Sequence, residues 1–281
     1  MTPPSGDPVP AIPEAEASGE IAALYADIRA TLGVPIVNLI WRNLAAIPGG
    51  LAWAWGSVKP LYAAGRVQNE ARALCAGQAL PAMPRLPAGA LGACGVDAAA
   101  ETTIRAILDS YDRSNALNLV ALSALLARIR QEISDGGAPA RHFAPEPPIA
   151  VPLPPLLALD RVPAETAALV RAVNRLGAGG ADHILVSMPR QLAHWPGFLA
   201  LYWSLLAPLD ASGVLRDCVA AVRADGRARG ARLAADLGHP AEPGRAALAA
   251  VEASLDDFCC NAISRMIPVV SLLQRAMPAE G

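Results

Sequence analysis

Displaced by 148 positions, the sequence falls on itself, and this constrains the fold more than any other feature of the chain. The stretch from Ile36 to Leu61, IVNLIWRNLAAIPGGLAWAWGSVKPL, aligns without a gap on ILVSMPRQLAHWPGFLALYWSLLAPL, which begins at Ile184. Arg42/Arg190, Leu44/Leu192, Ala45/Ala193, Pro48/Pro196, Gly49/Gly197, Leu51/Leu199, Trp55/Trp203 and Pro60/Pro208 are identical pairs. After a one-residue slip, Leu108-Asp109-Ser110-Tyr111 falls on Leu255-Asp256-Asp257-Phe258, and Leu125-Leu126 on Leu272-Leu273. Self-similarity of this extent marks one structural unit used twice. It divides the chain into an N-terminal tail (1–14), a first repeat (15–135), a connector (136–163) and a second repeat (164–281).

The units are helical. Ile21, Leu24, Tyr25, Ile28 and Leu32 recur at three- and four-residue spacing, and Gly33 closes that helix. Pro35 suits the first position of a second helix, and Ile47-Pro48-Gly49-Gly50 turns the chain into a third, which carries Trp53 and Trp55. In the second repeat the same plan predicts helices over 164–176, 183–194, 197–209, 215–237, 244–260 and 261–277. No stretch alternates as a strand would, and 60 alanines against 4% aromatic residues favour helix further. The fold class is therefore all-α.

The connector contains APEPPIAVPLPPL, whose prolines remove backbone donors and forbid helix. Two related halves joined by an extended strap can pack about a pseudo-twofold axis, as two subunits of a homodimer would. The expected cavity lies on that axis, as the largest pocket, between Ile36/Leu39 and Ile184/Ser187. Trp55 and Trp203 are expected to anchor the two cores.

Charge and composition narrow the function classes. With 23 Lys+Arg against 25 Asp+Glu and a single lysine, Lys59, the chain lacks the basic surface of a nucleic-acid binder. The longest apolar run, Ala116 to Ile129, is broken by Asn118, Ser123 and Arg128, so no membrane span is expected. Met1 to Pro13 has neither the basic nor the apolar region of a signal peptide, which leads us to expect a cytoplasmic protein. Cys75, Cys94, Cys218, Cys259 and Cys260 have no metal or disulfide spacing and are expected to be buried thiols. His142, His183, His194 and His239 are dispersed, and no metal or cofactor motif is present.

The paired R-x-L-A-x-(I/W)-P-G-x-L-A hairpins, the P-L-P-P-L strap and the Leu-Asp-x-Tyr stretch followed by Asn115 resemble the group I (DehI-type) 2-haloacid dehalogenase family over roughly Ile21 to Leu273. The resemblance implies an all-α pseudo-dimer of two helical bundles, akin to the carboxymuconolactone-decarboxylase-like fold. It implies a site between the halves where an aspartate activates water to displace halide from a short 2-haloalkanoic acid, without a cofactor. The family's aspartate follows a serine; the matching residues here are Ser187 and Met188, and methionine cannot take a proton from water. Asp182 is the nearest alternative acid, and the repeat also gives it the simpler role of helix N-cap.

Asn115 matches the family's water-positioning asparagine, although an asparagine after Ser114 can equally mark a helix junction. Tyr111 could meet a substrate carboxylate or be core. Arg42 and Arg190 could clamp a carboxylate bidentately or pin structural carbonyls twice. The expected site thus comprises Asn115 and Asp182 as catalytic candidates, with Ile36, Leu39, Tyr111, Ser187 and Met188 against the ligand. Two functions follow: hydrolytic 2-haloacid dehalogenation, or a diverged, non-catalytic member binding a small organic acid between the repeats. A homodimer is compatible with either.

Overall fold

A computed structural model describes residues 9–134, 146–180 and 184–279, all of them helix, turn or extended connection without a strand. The first helix, α1 (Gly19–Leu32), buries Tyr25, Ile28 and Leu32 on one face. It stops where Gly33 turns left-handed at φ 66°, its N–H closing on Arg29 O; a side chain there would also press on the Arg113 guanidinium at 2.9 Å. Next come α2 (Leu39–Ala45), α3 (Gly50–Ala63), α4 (Arg66–Ala76), the single turn α5 (Ala90–Ala93) and α6 (Ala98–Ile129). Asp97 caps α6 by accepting Ala100 N–H at 2.8 Å. The stretch from Ser114 to Ala127 is buried throughout, as expected of a helix surrounded by others.

The second half contributes α7 (Ala164–Arg175), α8 (Ser187–Leu192), α9 (Pro196–Ala211), α10 (Val214–Leu233), α11 (Arg245–Asp257) and α12 (Ser264–Ala276), with a π turn at Phe258–Ile263 joining the last two. The structure departs from the sequence reading at four points. The second helix starts at Leu39 rather than Pro35, and its counterpart at Ser187 rather than His183, because Asn38 and Val186 are still extended. The predicted break after Cys260 is a π turn that carries the helix on. Trp203 is 45% exposed while Trp55 is 1% exposed: Trp55 donates to Asp27 at 2.7 Å and meets Trp41 edge-on at 5.4 Å. Of the cysteines, Cys218 and Cys259 are buried, whereas Cys75, Cys94 and Cys260 are partly accessible.

Helix bounds echo the sequence offset: α2 and α8 begin at Leu39 and Ser187, and α4 and α10 at Arg66 and Val214, in each case 148 residues apart. One continuous core draws on both halves. Its axis is α6, on which α10 and α12 pack most extensively. The approach of α10 is close because Gly226 and Gly230 lie against Leu119 and Ser123; a Cβ at either would stand 2.5 Å from those side chains. The described part of the connector ties the halves from outside. Ile149 N–H bonds Gly33 O at 3.1 Å, Arg190 Nε donates to Leu157 O at 2.9 Å, and Gln191 Nε2 donates to Pro154 O at 3.0 Å. Among the described residues no single helix is long and apolar enough to cross a membrane, although α9 and the α10 segment, which meet at 85°, pass that test as a bent pair.

Candidate functional site

Where α2, α6, α8 and the π turn converge, they leave a cavity of about 30 Å³. Asn38, Leu39 and Ile40 come from the start of α2, Tyr111 and Asn115 from α6, and Ile184, Val186 and Ser187 from the entry to α8. Phe258, Ala262 and Ile263 of the π turn and Met266 of α12 complete the wall. The π turn shifts the register of an otherwise continuous helix, the kind of irregularity that recurs at functional sites. The volume is enough for about two waters, so a small acid enters only as side chains give way. A larger cleft, about 590 Å³, lies elsewhere, between α1, α4, α6 and the connector.

The lining follows the sequence offset. Asn38/Val186 and Leu39/Ser187 are 148 apart, and Tyr111/Phe258 and Asn115/Ala262 are 147 apart, so four pairs of repeat equivalents face one space. In each pair one member carries a hydrogen-bonding side chain and the other does not. The wall therefore presents an asymmetric set of polar side chains, three from the first half of the sequence and one from the second.

Leu39, Tyr111, Asn115 and Ser187, expected at the site, are brought together. Two other expectations fail. Ile36 does not line the cavity, because α2 begins three residues later and Ile36 lies in the bend before it. Met188 is also absent from the wall: one residue beyond Ser187 on α8, it points into the core with no exposure. Asp182, together with His183, falls outside the described residues.

The polar chemistry is specific. Asn115 donates one amide N–H to Tyr111 O at 2.7 Å, one turn back on its own helix, which leaves its second N–H and Oδ1 as its polar groups toward the cavity. Ser187 Oγ accepts from Arg42 Nη2 at 3.4 Å, and its hydroxyl proton stays available to a ligand. Arg190, the repeat equivalent of Arg42, is bound to the connector instead, so the pair does not act as a double clamp. Behind the wall, Trp41 Nε1 donates to Asn118 Oδ1 at 3.1 Å and Asn38 Nδ2 to Ser114 Oγ at 2.9 Å, fixing α2 on α6. Among the described residues the lining holds no carboxylate, histidine or lysine, and no group of three or more His, Cys, Asp or Glu could hold a metal.

Asn38, Ile40, Val186, Phe258, Ala262, Ile263 and Met266 were not anticipated as site residues. The repeat held a signal for three of them: Ile40, Phe258 and Ala262 are the equivalents of Met188, Tyr111 and Asn115.

No family model matches the sequence, and no curated protein matches it. Solved structures do. A complex of D-2-haloacid dehalogenase with L-LA is 19% identical, with a TM-score of 0.72, covering 98% of this chain and 99% of the other. A complex of a D-2-haloacid dehalogenase mutant with D-2-CPA gives 18% and 0.71, covering 95% and 96%. A further mutant structure described as a D-2-halacid dehalogenase gives 19% and 0.70, covering 98% of each chain. The chain thus has the all-α fold of the D-2-haloacid dehalogenase structures over essentially its whole length.

Proposed function

We propose that the protein binds a small organic acid in the cavity between its two sequence-related halves, as a diverged relative of the 2-haloacid dehalogenases. The observation that carries this reading is the composition of the wall: Asn38, Tyr111, Asn115 and Ser187 set among apolar side chains, with no acid among the described lining residues. An apolar cavity with a few convergent polar groups suits a small ligand. Displacing halide with water also needs a group to take the water's proton. The four equivalent pairs around the cavity support the pseudo-twofold arrangement.

Hydrolytic dehalogenation is the second reading. It is favoured by the shared fold and by Ile184 on the cavity wall, which puts Asp182 two residues away along the chain. Calorimetric titration with short 2-halo- and 2-hydroxy-carboxylates, alongside halide release from both enantiomers of 2-chloropropionate, separates the two. Binding without halide release supports the first. Turnover abolished by Asp182→Ala but with binding kept supports the second, and failure of every small acid to bind ends both.

A further inference from the structure

Asn38 occupies the N-cap of α2, where asparagine ordinarily accepts a backbone N–H of the first turn through Oδ1. It makes no such bond. Its Nδ2 reaches across to Ser114 Oγ on α6, and Oδ1, shielded from solvent, has no hydrogen-bond partner among the described residues. The residue is 7% exposed and lines the cavity. A buried acceptor left unmade costs more than an ordinary hydrogen bond contributes, and the usual local remedy, capping α2, has been forgone. The repeat sharpens the contrast, because the equivalent N-cap of α8 is Val186, which has no acceptor to leave unsatisfied.

We propose that Asn38 is a specificity-determining residue whose Oδ1 accepts a hydrogen bond from the second carbon's substituent, so that the cavity prefers 2-hydroxy acids to 2-halo acids of the same length. The inference rests on the small-acid reading above and deepens it. A hydroxyl brings the donor that Oδ1 lacks, whereas a halogen has no hydrogen to give and leaves the acceptor buried and unpaired. Sites built around a ligand hydroxyl reject analogues without it far more strongly than apolar contacts distinguish a missing methylene.

The test is calorimetric titration of the full chain with 2-hydroxypropionate, 2-chloropropionate and unsubstituted propionate, the first two as separate enantiomers. The wild type should bind one 2-hydroxypropionate enantiomer at least about tenfold more tightly than either chloro acid, with propionate no better than the chloro acids. Asn38→Val, which copies the residue at the equivalent cap, should remove that preference by weakening the hydroxy acid alone. If Asn38→Val does not fold, the wild-type order among the three acids still decides the matter. Equal wild-type binding of hydroxy and chloro acids, or a preference that survives in Asn38→Val, overturns this inference and leaves small-acid binding standing. Absence of binding by all three overturns both.

Discussion

Arg42 of α2 and Ser187 of α8 are 145 residues apart in sequence and meet at the cavity, Nη2 to Oγ, at 3.4 Å. The guanidinium polarises the serine oxygen from behind, and the serine proton is left for whatever occupies the space. Ser187→Ala should weaken small-acid binding by about 3- to 10-fold, the worth of a single hydrogen bond. The melting temperature should move little, because the methyl fills nearly the same volume. Titration and thermal melts on the same preparation check this; unchanged affinity would place the ligand elsewhere.

Met188 stands where the family resemblance implies an aspartate, and restoring an acid there would look like a route to dehalogenation. The burial of Met188 argues otherwise. A carboxylate at this site would be isolated in the core, and Met188→Asp should lose on the order of 3–5 kcal/mol of stability without gaining halide release. A denaturant titration with a halide assay tests both statements, and a stable variant that releases halide would show that position 188 reaches the cavity.

The large cleft beside the connector contains Asp112, whose carboxyl burial pushes up to about 6, reinforced by Asp109 and Glu146 and opposed by Ser271 and Arg113. Over roughly pH 4 to 6 the folded chain therefore holds a proton that the unfolded chain has released, and stability falls as pH rises through that window. Above it the ionised group costs up to about 3 kcal/mol, taking 1.36 kcal/mol per pH unit. Asp112→Asn should be more stable than the wild type at pH 7.5 by up to that amount, with the difference vanishing near pH 4. Urea midpoints at the two pH values measure it; an equal difference at both would refute the assignment.

Gly230 allows α10 to lie directly on α6, where a Cβ would stand 2.5 Å from Ser123 Cβ and 2.6 Å from the backbone nitrogen of Ala124. Backbone cannot rotate away as a side-chain end can. Gly230→Ala should cost about 2–3 kcal/mol by overpacking, although alanine favours helix more than glycine does. A scanning calorimeter should record a fall in melting temperature of about 3–5 °C for a chain of this size; no change would mean that the helices separate freely.

The all-α class, the helical hairpins and several cavity residues were legible in the sequence because they depend on local periodicity and on the offset between repeats. Leu39 and Ser187 could be placed on one wall that way, whereas Tyr111 and Asn115 entered through the family resemblance. Ile36 could not be excluded, since proline at position 35 suits a helix start and only the extended conformation at Asn38 moves that start to Leu39. Trp203 was misjudged for a related reason. Identity with Trp55 says nothing of the neighbours, and Trp55 is held by Asp27 and Trp41 while Trp203 stands in solvent.

By itself the sequence determined the all-helical class and which positions fall in register at the 148-residue offset, because helix period and sequence offset are written residue by residue along one chain. Only the tertiary structure decided what those positions do. Asn38 Nδ2 is engaged by Ser114, 76 residues away, while Oδ1 finds no hydrogen-bond partner among the described residues. The π turn at Phe258–Ile263 rotates its side chains toward the same space, and Met188 is turned away from it. Such outcomes depend on which surfaces pack together, since a polar atom's role is set by the partners and the water that packing leaves to it.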